Sequence, residues 1–145
     1  MPKAWVKGGA LAALLLALGN AQASEALFQQ NCASCHGMNA EGIPGLAPPL
    51  KHEALWQGLG ENAKPYITGV MASGLSGQLS AMGQMYFGLV MPPQTVQKPE
   101  DLASIASYVL TLNGLSASVS ADEVLAARNP APAHSELRAL RPKNL

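Results

Sequence analysis

Two cysteines and a histidine lie within five consecutive residues, and they are the part of this sequence best suited to chemistry. Cys32 and Cys35 are the two cysteines of the chain, and His36 follows the second directly. Two thiols and an imidazole at this spacing can form a disulfide, act as a redox pair, ligate a metal or attach a cofactor covalently. The surrounding sequence discriminates among these possibilities.

The N-terminal residues have the pattern of a Sec signal peptide. Lys3 and Lys7 precede an apolar run over residues 9–19, and Ala21-Gln22-Ala23 follows it with the small residues of a cleavage site before Ser24. The apolar run is shorter than the roughly 20 residues that span a bilayer, which favours a cleaved signal over a retained anchor. We therefore expect a signal peptide over residues 1–23 and a periplasmic or other extracytoplasmic location.

In an exported chain, the cysteine and histidine spacing favours covalent attachment of a haem. A Cys32–Cys35 disulfide would close a very short loop, remove little entropy from the unfolded chain and leave His36 unexplained. A thioredoxin-like redox pair is expected after a strand, whereas residues 25–31 have the pattern of a short helix. A structural zinc site needs four nitrogen or sulfur ligands, and there is no second CxxC. CxxCH is the attachment signature of c-type haem, so we predict one haem c bound through Cys32 and Cys35, with His36 as an iron ligand.

The composition agrees with a cofactor inside the core. The predicted mature chain carries seven Lys and Arg against nine Asp and Glu, without the basic clusters of a nucleic-acid surface. Its aromatic residues are few: Phe28, Trp56, Tyr66, Tyr86, Phe87 and Tyr108. A small domain with so little aromatic volume usually relies on a disulfide, a metal or a cofactor, and the macrocycle of a haem would fill that place.

A second axial ligand is sought downstream, because an open position would bind small ligands instead. The candidates are Met38, Met71, Met82, Met85, Met91, His52 and His134. Met91 is favoured, because Pro92-Pro93 exclude a regular helix there and hold the ligand on a rigid extended segment. A helix follows from Pro99 to a stop at Asn113-Gly114, with Leu102, Ile105, Ala106, Val109 and Leu112 on one face.

The other candidates are assigned as follows. Met38 lies too close to the attachment segment to reach the opposite face of a haem, and Met71 is expected to pack within a helix opened by Pro65. Met82 and Met85, in the glycine-rich stretch 77–88, remain alternatives to Met91. His52, between Lys51 and Glu53, is expected to be a solvated surface residue, His134 lies in the C-terminal extension, and neither is expected to be a ligand.

Several segments together resemble class I (monohaem) cytochromes c over residues 25–115. They are CASCHG, IPGLAPPL, GLSGQL and YFGLVMPP, followed by the helix that contains IASYVL. The resemblance implies an all-α cytochrome c fold, with helices packed around one covalently bound haem, and electron transfer rather than catalysis. It also implies that Phe28 contacts Tyr108 and Ile105 where the first and last helices cross.

The resemblance assigns two further cofactor-binding residues. The carbonyl of Pro48 is implied to accept a hydrogen bond from Nδ1 of His36, and Leu50 is implied to pack on the proximal face of the haem. Pro44 and Pro49 are near enough in sequence to be alternatives to Pro48.

The chain continues after the haem domain, which we place at residues 24–115. We predict two short helices in an extension over residues 116–145: one opened by the capping box Ser120 to Glu123, and one over Glu136 to Arg141. The extension is either a clamp across the haem domain or a docking arm for a partner. Longer bacterial cytochromes of this kind include a thermophilic type that donates electrons to a haem-copper terminal oxidase, and haem subunits of periplasmic dehydrogenases.

Three functions are compatible with these features. The first is a monomeric carrier between a donor, such as a quinol-oxidising complex or a dehydrogenase, and a haem-copper oxidase, with transient contact with membrane complexes. The second is a haem c subunit of a periplasmic dehydrogenase complex, and the third is a haem ligand sensor. Residues 24–115 hold three basic and six acidic residues, so we expect a carrier to dock mainly through apolar residues near the haem edge.

Overall fold

The computed structural model describes residues 22–88 and 90–143. The predicted signal peptide lies outside the described residues, except for its last two positions. Residues 22–31 are helical and are called α1 here. The helices that follow are α2 (Ala33–His36), α3 (Glu53–Leu59), α4 (Ala63–Ser73), α5 (Pro99–Leu112), α6 (Ala121–Ala126) and α7 (His134–Leu140), with a 3₁₀ turn at Gly60–Asn62 between α3 and α4. No helix within the described residues is long and apolar enough to cross a membrane.

Four short strands accompany the helices within residues 22–88 and 90–143. β1 (Leu75–Ser76) pairs antiparallel with β4 (Val90–Met91), and β2 (Leu79–Ala81) pairs antiparallel with β3 (Gln84–Tyr86). The turn between β2 and β3 consists of Met82 and Gly83, both at positive φ, as a two-residue hairpin turn requires. The predicted all-α class therefore describes the helices but not the strands. The glycine-rich stretch 77–88 forms a hairpin, which its sequence does not distinguish from an irregular loop.

Helix α5 has the predicted boundaries and the predicted buried face. Pro99 opens it, and Glu100 and Asp101 lie in the first turn, where the helix dipole favours negative charge. Its Leu102, Ile105, Ala106 and Val109 are buried, whereas Leu112 is partly buried. The Asn113 side chain donates to Leu50 O at 2.9 Å and accepts from His52 N at 2.7 Å, which ties the helix end to the loop that follows α2.

The contact between the first and last haem-domain helices is also as implied. Phe28 of α1 is fully buried, and its ring lies 5.4 Å from that of Tyr108 on α5, centroid to centroid. Ile105, one turn earlier on α5, is buried in the same core. These contacts hold α1, which leads into the cysteine segment, against α5.

The C-terminal extension packs along α4 and α5. The Ser120 hydroxyl accepts from Glu123 N at 3.2 Å, and a Glu123 carboxylate oxygen accepts from Ser120 N at 2.8 Å, so the predicted capping box is present. Helix α7 begins at His134, two residues before the predicted start. Val124 of α6 and Leu137 of α7 are buried, and Ser73 Oγ donates to Pro132 O at 2.6 Å. Helix α4 likewise begins before its predicted opening residue, at Ala63 rather than Pro65.

The expectation that His52 is a solvated surface residue is wrong. His52 is 7% exposed, because its loop folds under the end of α5. His134 is partly buried: its Nε2 donates to Ser73 O at 3.0 Å and its Nδ1 lies 2.6 Å from Ser76 Oγ. Both positions are polar in sequence, yet tertiary packing covers them.

Candidate functional site

The two thiols and the imidazole lie on one helical turn. Cys35 N and His36 N both donate to Cys32 O, at 3.2 and 3.0 Å. Residues at positions i, i+3 and i+4 of a helical turn share a face, so this turn directs Cys32, Cys35 and His36 to the same side. Both cysteines are free thiols in the structure, Cys32 half-buried and Cys35 exposed.

His36 is buried and held by one hydrogen bond. Its Nδ1 lies 3.1 Å from Pro48 O, and a carbonyl oxygen can only accept, so Nδ1 carries the proton. Among the described residues Nε2 has no hydrogen-bond partner, which leaves its lone pair available for a metal. Burial lowers the pKa of His36, an effect that the hydrogen bond to Pro48 partly opposes. The imidazole is therefore neutral, the form that ligates iron.

The same turn opens onto a cavity of about 410 Å³. Pro48 and Leu50 line it beside the attachment segment, and the hydrophobic core supplies most of its remaining surface. Among these apolar lining residues are Phe28, Leu55, Trp56, Ile67, Ile105 and Val109. The cavity thus occupies the place in the core that the few aromatic side chains do not fill.

Two of the candidate methionines line this cavity. Met91 is half-buried on β4, opposite Leu75 of β1. Met71 is 6% exposed on α4, so the expectation that it packs in a helix holds, yet it also borders the cavity. Met38, Met82 and Met85 are exposed and do not line the cavity.

The thiols fit covalent attachment better than the alternatives. Burial, and then the neighbouring Cys35, raise the pKa of Cys32 to about 11, whereas redox-active CxxC thiols have lowered pKa values. Within residues 22–88 and 90–143 no three His, Cys, Asp or Glu side chains form a group that could hold a bare metal ion. Two thiols at the edge of an apolar cavity, with a neutral imidazole beside them, match the requirements of a haem attached through thioether bonds.

Comparison with known proteins agrees with this geometry. The family model for cytochrome c matches residues 21–113. This chain belongs to the cytochrome c family. It therefore binds haem c covalently through Cys32 and Cys35, and it is an electron-transfer protein.

Several relatives have a domain of this kind. Cytochrome c-552 of Thermus thermophilus is 36% identical over 101 residues, which cover 70% of this chain and 68% of that protein. A cytochrome c-553-like protein of Synechocystis is 30% identical over 94 residues, 65% of this chain and 70% of that protein. The subunit CcoP of a cbb3-type cytochrome c oxidase from Rubrivivax gelatinosus is 32% identical over 90 residues, 62% of this chain but 25% of the subunit.

The structure brings Cys32, Cys35, His36, Pro48, Leu50 and Met91 to one cavity. The sequence did not assign Tyr66 of α4 or Arg141 of the extension to the site, although both line the same cavity. The sequence contained one indication that the extension carries such a cation, because all three arginines of the chain lie after residue 115. Its proximity to the cavity depends on how α7 docks, which no local pattern determines.

Proposed function

We propose that this cytochrome c is a periplasmic one-electron carrier of a respiratory chain, with His36 and Met91 as the axial iron ligands. The observation that supports it most is that His36, with its Nε2 free of hydrogen bonds, and the thioether of Met91 line one cavity beside the attachment thiols. When bound, haem c supplies an iron that alternates between ferric and ferrous states. The role of the protein is to hold that iron in a fixed, mostly apolar environment.

Both proposed ligands are held by backbone pairing or hydrogen bonding. Pro48 O fixes the orientation of the His36 ring, and a contact of this kind also raises the basicity of the imidazole. Met91 is held by the pairing of β4 with β1 and is followed by two prolines. A neutral thioether opposite an imidazole favours the ferrous state and gives a high potential, which suits a donor to an oxidase.

The export pattern and the relatives support the cellular setting. The Sec signal peptide over residues 1–23 would place the haem domain, residues 24–115, and the extension, residues 116–145, in the periplasm. A similar domain within an oxidase subunit supports a haem-copper terminal oxidase as the electron acceptor. A quinol-oxidising complex or a dehydrogenase would be the donor, and the carrier would be a monomer in transient contact with membrane complexes.

The CcoP relative also favours a second candidate, because there a similar domain is part of a larger subunit. In this alternative the chain is a haem c subunit that accepts electrons within a larger redox complex, such as a periplasmic dehydrogenase. The two functions differ in hydrodynamic size. A carrier purifies from its native membrane and periplasmic fractions as a monomer, whereas a subunit co-purifies with its complex.

The ligand assignment is tested by optical spectroscopy of the mature protein produced with haem-maturation machinery. We expect the long-wavelength charge-transfer band of iron–thioether ligation in the wild type, its loss in Met91→Ala, and its retention in Met71→Leu. The reduced wild type should resist carbon monoxide, and Met91→Ala should bind it. Loss of the band in Met71→Leu alone would transfer the ligand role to Met71, and a wild type without the band that binds carbon monoxide at once would indicate a ligand sensor.

A further inference from the structure

Arg141 brings a positive charge to the wall of the cofactor cavity. It follows α7 directly and is the one permanently charged side chain among the described residues that line this cavity. Its Nη1 donates to Tyr66 Oη at 2.7 Å and its Nη2 donates to Ser80 O at 2.8 Å. The guanidinium carbon lies 5.9 Å from the centroid of the Tyr66 ring, which aligns the cation further.

This cation has no carboxylate partner within residues 22–88 and 90–143. The ion pair found in that part of the chain joins Lys64 to Glu123 at 2.6 Å, and the acceptors of Arg141 are a hydroxyl and a backbone carbonyl. A guanidinium has five N–H donors, and the two hydrogen bonds above use two of them, so three remain available. A half-buried cation with free donors at the edge of an apolar cavity is suited to an anionic group inside that cavity.

The docking of α7 fixes the position of the guanidinium. Arg138, one turn earlier, donates to Ser76 O, and His134 bonds to Ser73 and Ser76. A Cβ on Gly58 of α3 would lie 2.6 Å from Pro142 Cγ, so the residue after Arg141 is in close contact with the haem domain. Arg141 is therefore held between two anchored neighbours.

We propose that Arg141, aligned by Tyr66, binds a propionate carboxylate of the haem, so that the C-terminal extension completes the cofactor site. The proposal rests on haem c being bound in this cavity. A porphyrin of this type carries its two carboxylates on a different edge from the groups that bond to cysteine. Arg141 contacts α4 and β2 rather than the attachment turn, and its planar fork matches a carboxylate.

The other titratable or charged side chains at this edge, among the described residues, include no carboxylate. They are His52 before α3, Tyr66 on α4, Tyr86 on β3 and Arg138 on α7. His52 is buried, and its Nδ1 has no hydrogen-bond partner among the described residues. Burial lowers the pKa of His52 first, and the charge of Arg141 lowers it further. Arg141 is the cation of this edge that lines the cavity, whereas Arg138 donates to Ser76 O and does not line it, and the lowered pKa of His52 favours its neutral form.

The test is the midpoint potential of the intact haem-loaded protein as a function of pH. Removing a cation next to the haem disfavours the ferrous state, so Arg141→Gln should lower the potential at neutral pH. In this variant the haem propionate has lost its counter-ion and should titrate at higher pH, because a desolvated carboxyl without a counter-ion has a raised pKa. The potential of the variant should therefore fall as pH rises across the neutral range, whereas that of the wild type stays flat there. Arg141→Lys should lie between the two, since it keeps the charge but loses the fork.

Matched variants separate this role from simple anchoring of the extension. Arg138→Gln also removes an arginine that holds α7, yet its side chain does not line the cavity, so it should lower the potential much less than Arg141→Gln does. An equal fall in both variants would assign the effect to docking of α7 and overturn the proposal. The double variant His52→Gln/Arg141→Gln should keep the pH dependence, and losing it would transfer the titration to His52. If Arg141→Gln has the wild-type potential and keeps the thioether band, the role of Arg141 is rejected and the proposed ligation by His36 and Met91 stands. If the wild type lacks the band, the proposed ligation is rejected instead.

Discussion

The substitution Leu137→Ala measures how far the C-terminal extension stabilises the haem domain. Leu137 is 1% exposed, and its Cδ2 would lie 2.7 Å from a Cβ placed on Gly69 of α4. The side chain is therefore seated directly on a helix of the haem domain. Leucine-to-alanine changes at such buried sites cost about 2–5 kcal/mol, and we expect about 3 kcal/mol here.

The assay is guanidinium-induced unfolding of the oxidised haem-loaded protein, followed by circular dichroism and by haem absorbance. Leu125→Ala is the matched control: Leu125 lies in α6 of the same extension but is 49% exposed, so its loss should cost no more than about 0.5 kcal/mol. Both variants remove the same atoms from the same segment. The difference between them reports burial against the haem domain.

Two results would refute this reasoning. Equal small effects of the two substitutions would mean that the extension is not part of the cooperative unit. A separate early transition for the wild type, seen by circular dichroism but not by haem absorbance, would mean that the extension unfolds independently. In either case the extension would not be a clamp, and a docking arm would become the better interpretation.

Two further predictions concern His52 and Gly74. Burial lowers the pKa of His52 in the folded state, so the unfolded chain binds more protons, and the free energy of unfolding should fall as the pH drops below about 6.5. In His52→Gln the free energy of unfolding should depend less on pH in this range. Denaturant titrations in which wild type and variant show the same pH dependence would contradict this. A Cβ on Gly74, at φ +72°, would collide with the backbone of Met91 and Pro93, so Gly74→Ala should weaken the iron–thioether band and cost about 2–4 kcal/mol. The control is Gly88→Ala, at φ +74° with nothing within 4 Å of the added Cβ, which should cost about 1–2 kcal/mol and keep the band. Equal spectra in the two variants would show that the contact with Gly74 does not position Met91 as a ligand.

Local patterns in the sequence predicted the parts of this protein that depend on local interactions. The CxxCH turn, the boundaries of α5 and the capping box of α6 depend on residues close in sequence, and all three are present. The contact of Phe28 with Tyr108 and the hydrogen bond from His36 to Pro48 are long-range. They were available through the family resemblance rather than through the local pattern.

The features that were missed depend on contacts between distant segments. His52 reads as polar surface between Lys51 and Glu53, but Asn113, 61 positions later, holds its backbone in the core. The hairpin of β2 and β3 required Met82 and Gly83 at positive φ, and a glycine-rich stretch is equally compatible with an irregular loop. The approach of Arg141 to Tyr66 spans 75 positions and follows from the docking of α7.

The size of the cavity links cofactor binding to folding. The cavity of about 410 Å³ lies among apolar side chains of the core, and such side chains contribute less to stability when one side has no atoms to pack against. The haem must therefore supply much of the core, and helices α1, α4 and α5 are held together partly through it. Because the thioether bonds to Cys32 and Cys35 keep the haem on the chain even when the chain unfolds, weakening of the extension cannot appear as cofactor loss. It must appear in the unfolding free energy and in the midpoint potential, which is why Leu137 and Arg141 are probed by those two quantities.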